Sequence, residues 1–320
     1  MRFREFAWTG LLFEVPEEMR FSRQGGDTRT GHLMLEAETY MIEAKWEPFE
    51  PKKAKSLSEV GGSLVEQIKK QSKNQTVTVL GKEDTYVSKH KALYMIVRSR
   101  ADERVYLWYC VESQRIVILR FVFGAFDDSA KKITKRVLDT LQCHSEKTNI
   151  WSLLNLRFET PVSFLLTDTK ITVGRAHFLL VDRKLSSFAD KTEKILVEYF
   201  SMANLIYEQT YRNLDKWFEK NYLKDLSKKL KEGKLKFKAL SSTGFRRHKM
   251  EVKQGTAKSG TTWRKTTMYT NASWYCPRTN RIYSVTFVSS IKRPAFLKRE
   301  IDREAHSKLW EDFLSSLKCH

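Results

Sequence analysis

The chain has 320 residues, 41% hydrophobic and 30% charged, with a formal net charge of +20. That composition excludes a disordered polymer and suits two globular domains of ordinary size. It has no run of roughly 18 apolar residues, and the first residues carry Arg2, Arg4, Glu5 and Glu14 instead of an apolar leader, so neither a membrane span nor export is expected and the cytoplasm is the expected compartment.

In chain order, residues 10–16 (GLLFEVP) predict a short strand closed by Pro16, then a turn at Gly25 and Gly26. Alternating apolar and polar residues predict strands over 32–38 and 40–46, ended by Pro48 and Pro51. Ser56 caps a helix with Leu57, Val60, Leu64, Val65 and Ile68 on one face, weakened by Gly61 and Gly62. Residues 76–80 form a strand, 91–100 and 105–111 a hairpin about Ala101 and Asp102, and 115–123 the last strand. Asp127 or Asp128 opens a terminal helix that turns Ile133, Val137, Leu138 and Leu141 inward.

The pattern then recurs. Trp108, Tyr109, Cys110, Arg115, Ile116, Phe121 and Val122 return in order as Trp274, Tyr275, Cys276, Arg281, Ile282, Phe287 and Val288. Leu138, Leu141, Cys143 and His144 return as Leu314, Leu317, Cys319 and His320. Recurrence at a nearly fixed period marks a tandem repeat, with domains at 1–149 and 150–320. Extra residues enter the second copy near 186–192, 255–260 and Pro294, where loops are expected. A long helical pattern spans 204–231.

Each repeat reads as strands, a helix, antiparallel strands and a terminal helix. With Val15-Pro16-Glu17 near the start, Lys89-His90-Lys91-Ala92 stepping into a strand, and a last helix ending in an apolar-Cys motif, that order resembles the PsbP-like fold. This fold is shared by the extrinsic PsbP protein of photosystem II, a Ran-binding nuclear-transport factor and bacterial secretion-effector chaperones. The resemblance covers each repeat and departs in the Cys-His ending. It implies an α+β class, two tandem antiparallel β-sheets flanked by helices (an α/β/α sandwich), and binding of macromolecules instead of catalysis. No partner-specific motif is matched, so the family's partners do not carry over.

All four cysteines and six of seven histidines occupy repeat-equivalent positions; His306 is left over. His90 precedes one hairpin strand and Cys110 ends the other, so both lie at one end of the sheet. Nine strand residues at ~3.3 Å run roughly 30 Å away, and sixteen helical residues at ~1.5 Å return about 24 Å. Cys143 and His144 should therefore finish near His90 and Cys110, as should Cys319 and His320 near His248 and Cys276. Three readings are open: packed thiols, a Cys/His zinc site, or the disulfides Cys110–Cys143 and Cys276–Cys319. The spacing is not the usual Cys-x₂₋₄-Cys, and adjacent Cys143 and His144 would have to chelate from a helix end.

No Gly-rich phosphate loop or nucleophile elbow occurs, and Glu17–Glu18 and Asp127–Asp128 read as turn or helix-start residues. No enzyme and no small-molecule substrate are indicated. Residues 1–150 hold 25 Lys/Arg against 21 Asp/Glu, whereas 151–320 hold 33 against 17, which points the second repeat at an acidic partner. Arg212, Lys216, Lys220, Lys224 and Lys228 recur every four residues, opposite Leu214, Phe218, Tyr222, Leu226 and Leu230. Lys234, Lys236 and Lys238 alternate along an expected strand, followed by Arg246, Arg247 and Lys249. This array reads as a nucleic-acid footprint, to which Trp263, Tyr269 or Tyr283 could add stacking. The alternatives are an acidic protein partner and, third, a metal-dependent enzyme built on the Cys/His residues.

Overall fold

Strand β1 (Phe3–Trp8) folds back on β2 (Leu11–Pro16) through Thr9 and Gly10, both at positive φ. The computed structural model describes residues 1–71, 76–210, 213–232 and 235–320. The backbone divides into two compact units, Met1–Leu154 and Asn155–His320.

In the first unit, β1 and β2 place Phe6 opposite Phe13, rings 5.5 Å apart and both buried. Strands β3 (Arg20–Gly26), β4 (Gly31–Glu36) and β5 (Tyr40–Pro48) follow, then helix α1 (Leu57–Gln71). Strands β6 (Thr78–Val87), β7 (His90–Arg98), β8 (Asp102–Cys110) and β9 (Arg115–Phe123) precede helix α2 (Asp128–Thr140) and strand β10 (Thr148–Leu153). The main sheet runs β3-β4-β5-β9-β8-β7-β6, every pair antiparallel. Strand β10 pairs with β1 and sets Trp151 edge-on to Trp8 at 5.5 Å. It therefore belongs with the residues before it, beyond the boundary at 149 expected from sequence.

Local chemistry explains the helices. Ser56 and Glu59 form a reciprocal capping box: the Glu59 N–H donates to Ser56 Oγ at 3.2 Å, and the Ser56 N–H to Glu59 Oε2 at 2.7 Å. Helix α1 lays Leu64, Val65 and Ile68 on Leu93, Met95, Val97, Val105 and Leu107. Gly61 is more than a weak point, because a Cβ there would stand 2.9 Å from the Met95 sulfur; it lets the helix approach the sheet. Asp127 caps α2 by accepting from the Ala130 N–H at 2.8 Å.

The Gly25–Gly26 turn expected from sequence is instead the end of β3. The chain reverses over residues 27–30, where Asp27 accepts from the Arg29 and Thr30 N–H groups. Strand β6 is longer than expected and mostly exposed at the sheet edge, so it carries no apolar period for a sequence reading to detect.

The second unit begins with β11 (Leu156–Pro161), β12 (Leu165–Ile171), β13 (Arg175–Lys184) and β14 (Asp190–Ser201). Helices α3 (Ala203–Gln209) and α4 (Leu214–Trp217), a π-helical turn (Phe218–Tyr222) and α5 (Leu223–Leu230) come next. Strands β15 (Lys238–Phe245), β16 (His248–Ser259), β17 (Trp263–Cys276) and β18 (Arg281–Pro294) lead to α6 (Arg303–Ser316). The sheet order β12-β13-β14-β18-β17-β16-β15 follows the same path as the first sheet. Extra residues near 255–259 and up to Pro294 lengthen strands, since β17 and β18 have 14 residues each against 9 in β8 and β9. Beyond Pro294, residues 295–302 form a longer connection to the last helix than residues 124–127 do in the first unit, as expected there.

The helix expected over 204–231 is divided. Asn213 caps a new start by accepting from the Lys216 N–H at 3.0 Å. Residues spaced by four drift roughly 40° per step on a straight α-helix. The π turn, with its i→i+5 bonds, winds less per residue and takes that drift back, so Leu214, Phe218, Tyr222, Leu226 and Leu230 all stay buried on Leu179, Leu196, Tyr269 and Val288. Beneath them, fully buried Glu198 accepts from Tyr222 Oη, Lys229 Nζ and Arg175 Nη2. On the opposite sheet face α6 inserts His306 between Thr270 Oγ1 (3.0 Å) and Ser289 Oγ (2.9 Å).

Two stability tests follow from this packing. Trp151→Ala should destabilise the first unit by about 3–5 kcal/mol, read as an earlier urea transition; a loss under about 1 kcal/mol would mean that β10 is not part of its core. Burial pushes the His306 imidazole down to about 4. The unfolded chain takes up that proton near pH ~6.5, so stability is full above that pH and falls as pH drops toward about 4. His306→Gln should flatten this slope, and an unchanged slope would exclude His306 as its source.

Candidate metal centres and basic face

In the first unit, His90 opens β7 and Cys110 closes β8, so the hairpin brings both to one end of the sheet. Helix α2 then stops at Leu141, whose extended backbone directs Gln142 onto β2. The Leu12 N–H donates to Gln142 O and the Gln142 N–H to Leu12 O, both at 2.8 Å. That bridge fixes the next two residues, Cys143 and His144. In the second unit the Arg157 and Lys318 backbones exchange bonds of 2.9 and 2.7 Å and place Cys319 and His320 in the same way.

The result is two like clusters. His90, Cys110, Cys143 and His144 each bring one donor atom to within 4.8 Å of the others, and so do His248, Cys276, Cys319 and His320. Cys143 Sγ lies 3.1 Å from His90 Nε2 and 3.4 Å from His144 Nδ1, with Cys110 Sγ 3.3 Å from the same Nδ1. The second cluster repeats this atom for atom: Cys319 to His248 Nε2 at 3.4 Å, Cys319 to His320 Nδ1 at 3.3 Å, and Cys276 to His320 Nδ1 at 3.4 Å. A tetrahedron with Zn–S of ~2.3 Å and Zn–N of ~2.0–2.1 Å has S···N edges of roughly 3.5 Å. Both groups could hold a metal in that geometry, and the four buried cysteines stand free, each turned to an imidazole.

The surroundings fit thiolate ligands. The buried indole N–H groups of Trp108 and Trp274 have no hydrogen-bond partner, yet Trp108 pulls the Cys143 thiol toward ionisation and Trp274 does the same to Cys319. Each is an orphan donor that a sulfur carrying full negative charge would satisfy. Without a cation the paired thiols oppose one another. The Cys143 thiol holds Cys110 down to about 5, and Cys143 itself is raised by its bond to Cys110 and by burial. Burial likewise pushes Cys319 up to about 11. A dication removes the conflict, because both sulfurs can then ionise. The eight residues singled out from the sequence are the ones that converge into groups that could hold a metal; the tryptophans were not among them, although their recurrence beside Cys110 and Cys276 was the available signal.

On the basic face, Lys216, Lys220, Lys224 and Lys228 are all exposed, as are Lys236, Lys238, Arg246, Arg247 and Lys249. Arg212 and Lys234 lie outside the described residues. The neighbouring acids are paired: half-exposed Asp215 with buried Lys253, half-exposed Asp225 with Arg175, and Glu232, its side chain buried, with Lys194 and Lys265. Glu219 is exposed and Glu251 pairs with Lys249. Tyr269 and Tyr283 are buried and cannot stack on a ligand, whereas Trp263 is 47% exposed.

These features define an α+β protein of antiparallel sheets, with two Cys/His groups that could hold metal. A weak PsbP-like resemblance accompanies them. Part of the chain is similar to the solution structure of cyanobacterial PsbP (CyanoP) from Synechocystis sp. PCC 6803, at 8% identity and a TM-score of 0.38, covering 44% of this chain and 92% of that one. No family model and no curated protein matches the chain. No helix among the described residues is long and apolar enough to cross a membrane.

Elemental analysis of freshly purified protein should find two metal ions per chain, and Cys143→Ser should leave one. Protein free of metal would reduce both clusters to packed thiols.

Proposed function

We propose that the chain is a non-enzymatic, cytoplasmic binding protein of two tandem PsbP-like repeats, each pinned by one zinc ion, whose second repeat docks on nucleic acid. The observation that carries this reading is the sorting of charge between residues 213 and 253. The candidate cations described there reach solvent, while Asp215, Asp225 and Glu232 are each taken up by an ion pair, Glu232 with its side chain buried and the two aspartates half-exposed. The surface left behind is a cationic ridge of lysines at helical spacing, suited to a row of phosphates. Four protein ligands per metal fill a tetrahedral shell, which supports a structural role for zinc and leaves no position for a reacting water. Reduced cysteines at ligand positions suit a reducing compartment.

Neutralising Lys216, Lys220, Lys224 and Lys228 to Gln should weaken binding to single- and double-stranded oligonucleotides of any sequence. The slope of log K against log salt should flatten by up to about 3–4. Equivalent changes at Lys131, Lys132 and Lys135 should do less. Negligible nucleic-acid binding by the intact chain at physiological salt, with tight association to an acidic protein, would put the adaptor reading in its place.

A further inference from the structure

The residues that lengthen β16, β17 and β18 build a cleft of about 550 Å³ at the ends of these strands farthest from the metal cluster. Strand β16 starts at His248 and ends at Ser259; at ~3.3 Å per residue it spans roughly 36 Å. The cleft floor follows from register. Lys258 pairs with Thr266 and Thr256 with Met268 across one ladder, and Arg264 pairs with Arg293 across the next. Alternation puts these side chains on one face of the sheet. It is the α6 face, since Thr270, two steps beyond Met268, contacts His306. Tyr269 points the other way, into the core under α4 and α5. The cleft and the lysine ridge therefore lie on opposite faces of the sheet.

Its chemistry is one-sided. Lys258, Arg264, Arg293 and Arg303 line it against the single carboxylate of Glu300, with hydroxyls from Thr256, Ser259, Thr261 and Thr266. Among the described residues no acid pairs with any of the four cations. Arg293 is already positioned: its Nε donates to Arg299 O at 2.5 Å and its Nη1 to Pro294 O at 3.3 Å, which ties the segment before α6 to the sheet end as a wall. Met268 and Ile301 add apolar surface.

Three guanidinium groups, a lysine and hydroxyl donors around one cavity match an oxyanion with two or more charges. Guanidinium forks bind phosphate oxygens in pairs, and the volume is that of a small-molecule site. The first unit has the shorter strands and lacks the extensions on which this floor is built.

We propose that this cleft is a phosphate-binding site that takes a small phosphate ester carrying at least two negative charges. The site does not depend on nucleic-acid binding by the lysine ridge, and the two are separable by variant. Inorganic pyrophosphate and ATP, titrated into the full chain by calorimetry, should bind. The double variant Lys258→Gln/Arg264→Gln, both exposed positions, should weaken that binding at least ~10-fold. Arg303→Gln supplies a second, independent perturbation, and an unchanged thermal transition checks folding. The four-lysine ridge variant should leave pyrophosphate affinity within about two-fold. In a parallel arm, oligonucleotide affinity that survives Lys258→Gln/Arg264→Gln assigns the phosphate to a free ester. Oligonucleotide affinity that falls with that of pyrophosphate assigns it to a polynucleotide end or backbone. No pyrophosphate binding up to ~1 mM, or equal binding by the cleft variants and the parent chain, would overturn the proposal.

Discussion

Two pairs of backbone hydrogen bonds decide where the chemistry of this protein falls. The exchange between Leu12 and Gln142, and that between Arg157 and Lys318, stop each terminal helix and lay the next two residues alongside a strand. A cysteine and a histidine adjacent in sequence cannot both face one point from an α-helix, where neighbours diverge by ~100°. Leaving the helix at Leu141 and Leu317, both extended, resolves this. From there Cys143 and His144 approach the hairpin end from one side, while His90 and Cys110 occupy the other. The difficulty that the sequence spacing raised against chelation disappears once the helix ends before the ligands begin.

The same economy governs charge. Glu198 is fully buried, and Lys229 and Arg175 meet it from the helix and the neighbouring strand. A carboxylate in that position is tolerable only with such partners, so two cations of the second unit are committed to its interior. Asp215 and Glu232 commit Lys253, Lys194 and Lys265 in turn. Pairs of this kind take up cations and acids in nearly equal number, so they leave the net positive charge of the unit to its surface. Part of that excess is displayed by Lys216, Lys220, Lys224 and Lys228, which are exposed and recur every four positions.

Much of this was legible beforehand, for a definite reason. Cys and His placement depended on hairpin register and helix return, both of which are fixed by strand rise and helix pitch, so arithmetic on residue numbers sufficed. The apolar face of residues 214–230 was readable from its spacing. The π turn that preserves that face was not, because a uniform four-residue period has no signature for where the winding relaxes. Strands β3 and β6 escaped since both are exposed edges without an apolar alternation. Insertion usually extends loops, and residues 295–302 follow that rule; the extra residues near 255–259 and up to Pro294 instead carry Thr, Lys and Arg in strand alternation, and the ladder continues through them.

That continuation separates the second unit from the first more than charge does. At the ligand end of each sheet the atoms coincide, down to which imidazole nitrogen faces which sulfur. At the other end the first unit closes its β7–β8 hairpin at Arg98 and Asp102, which neutralise each other at 2.9 Å. The second unit prolongs the same strands until Lys258, Arg264 and Arg293 share a face, with no ion pair to an acid among the described residues. Like charges set side by side on a ladder repel, even though Arg293 also ties the segment before α6 to the sheet end. A cationic set held at a cost in stability, on strand extensions confined to one unit, is the arrangement expected of a site whose stabilising partner is an anion from outside the chain.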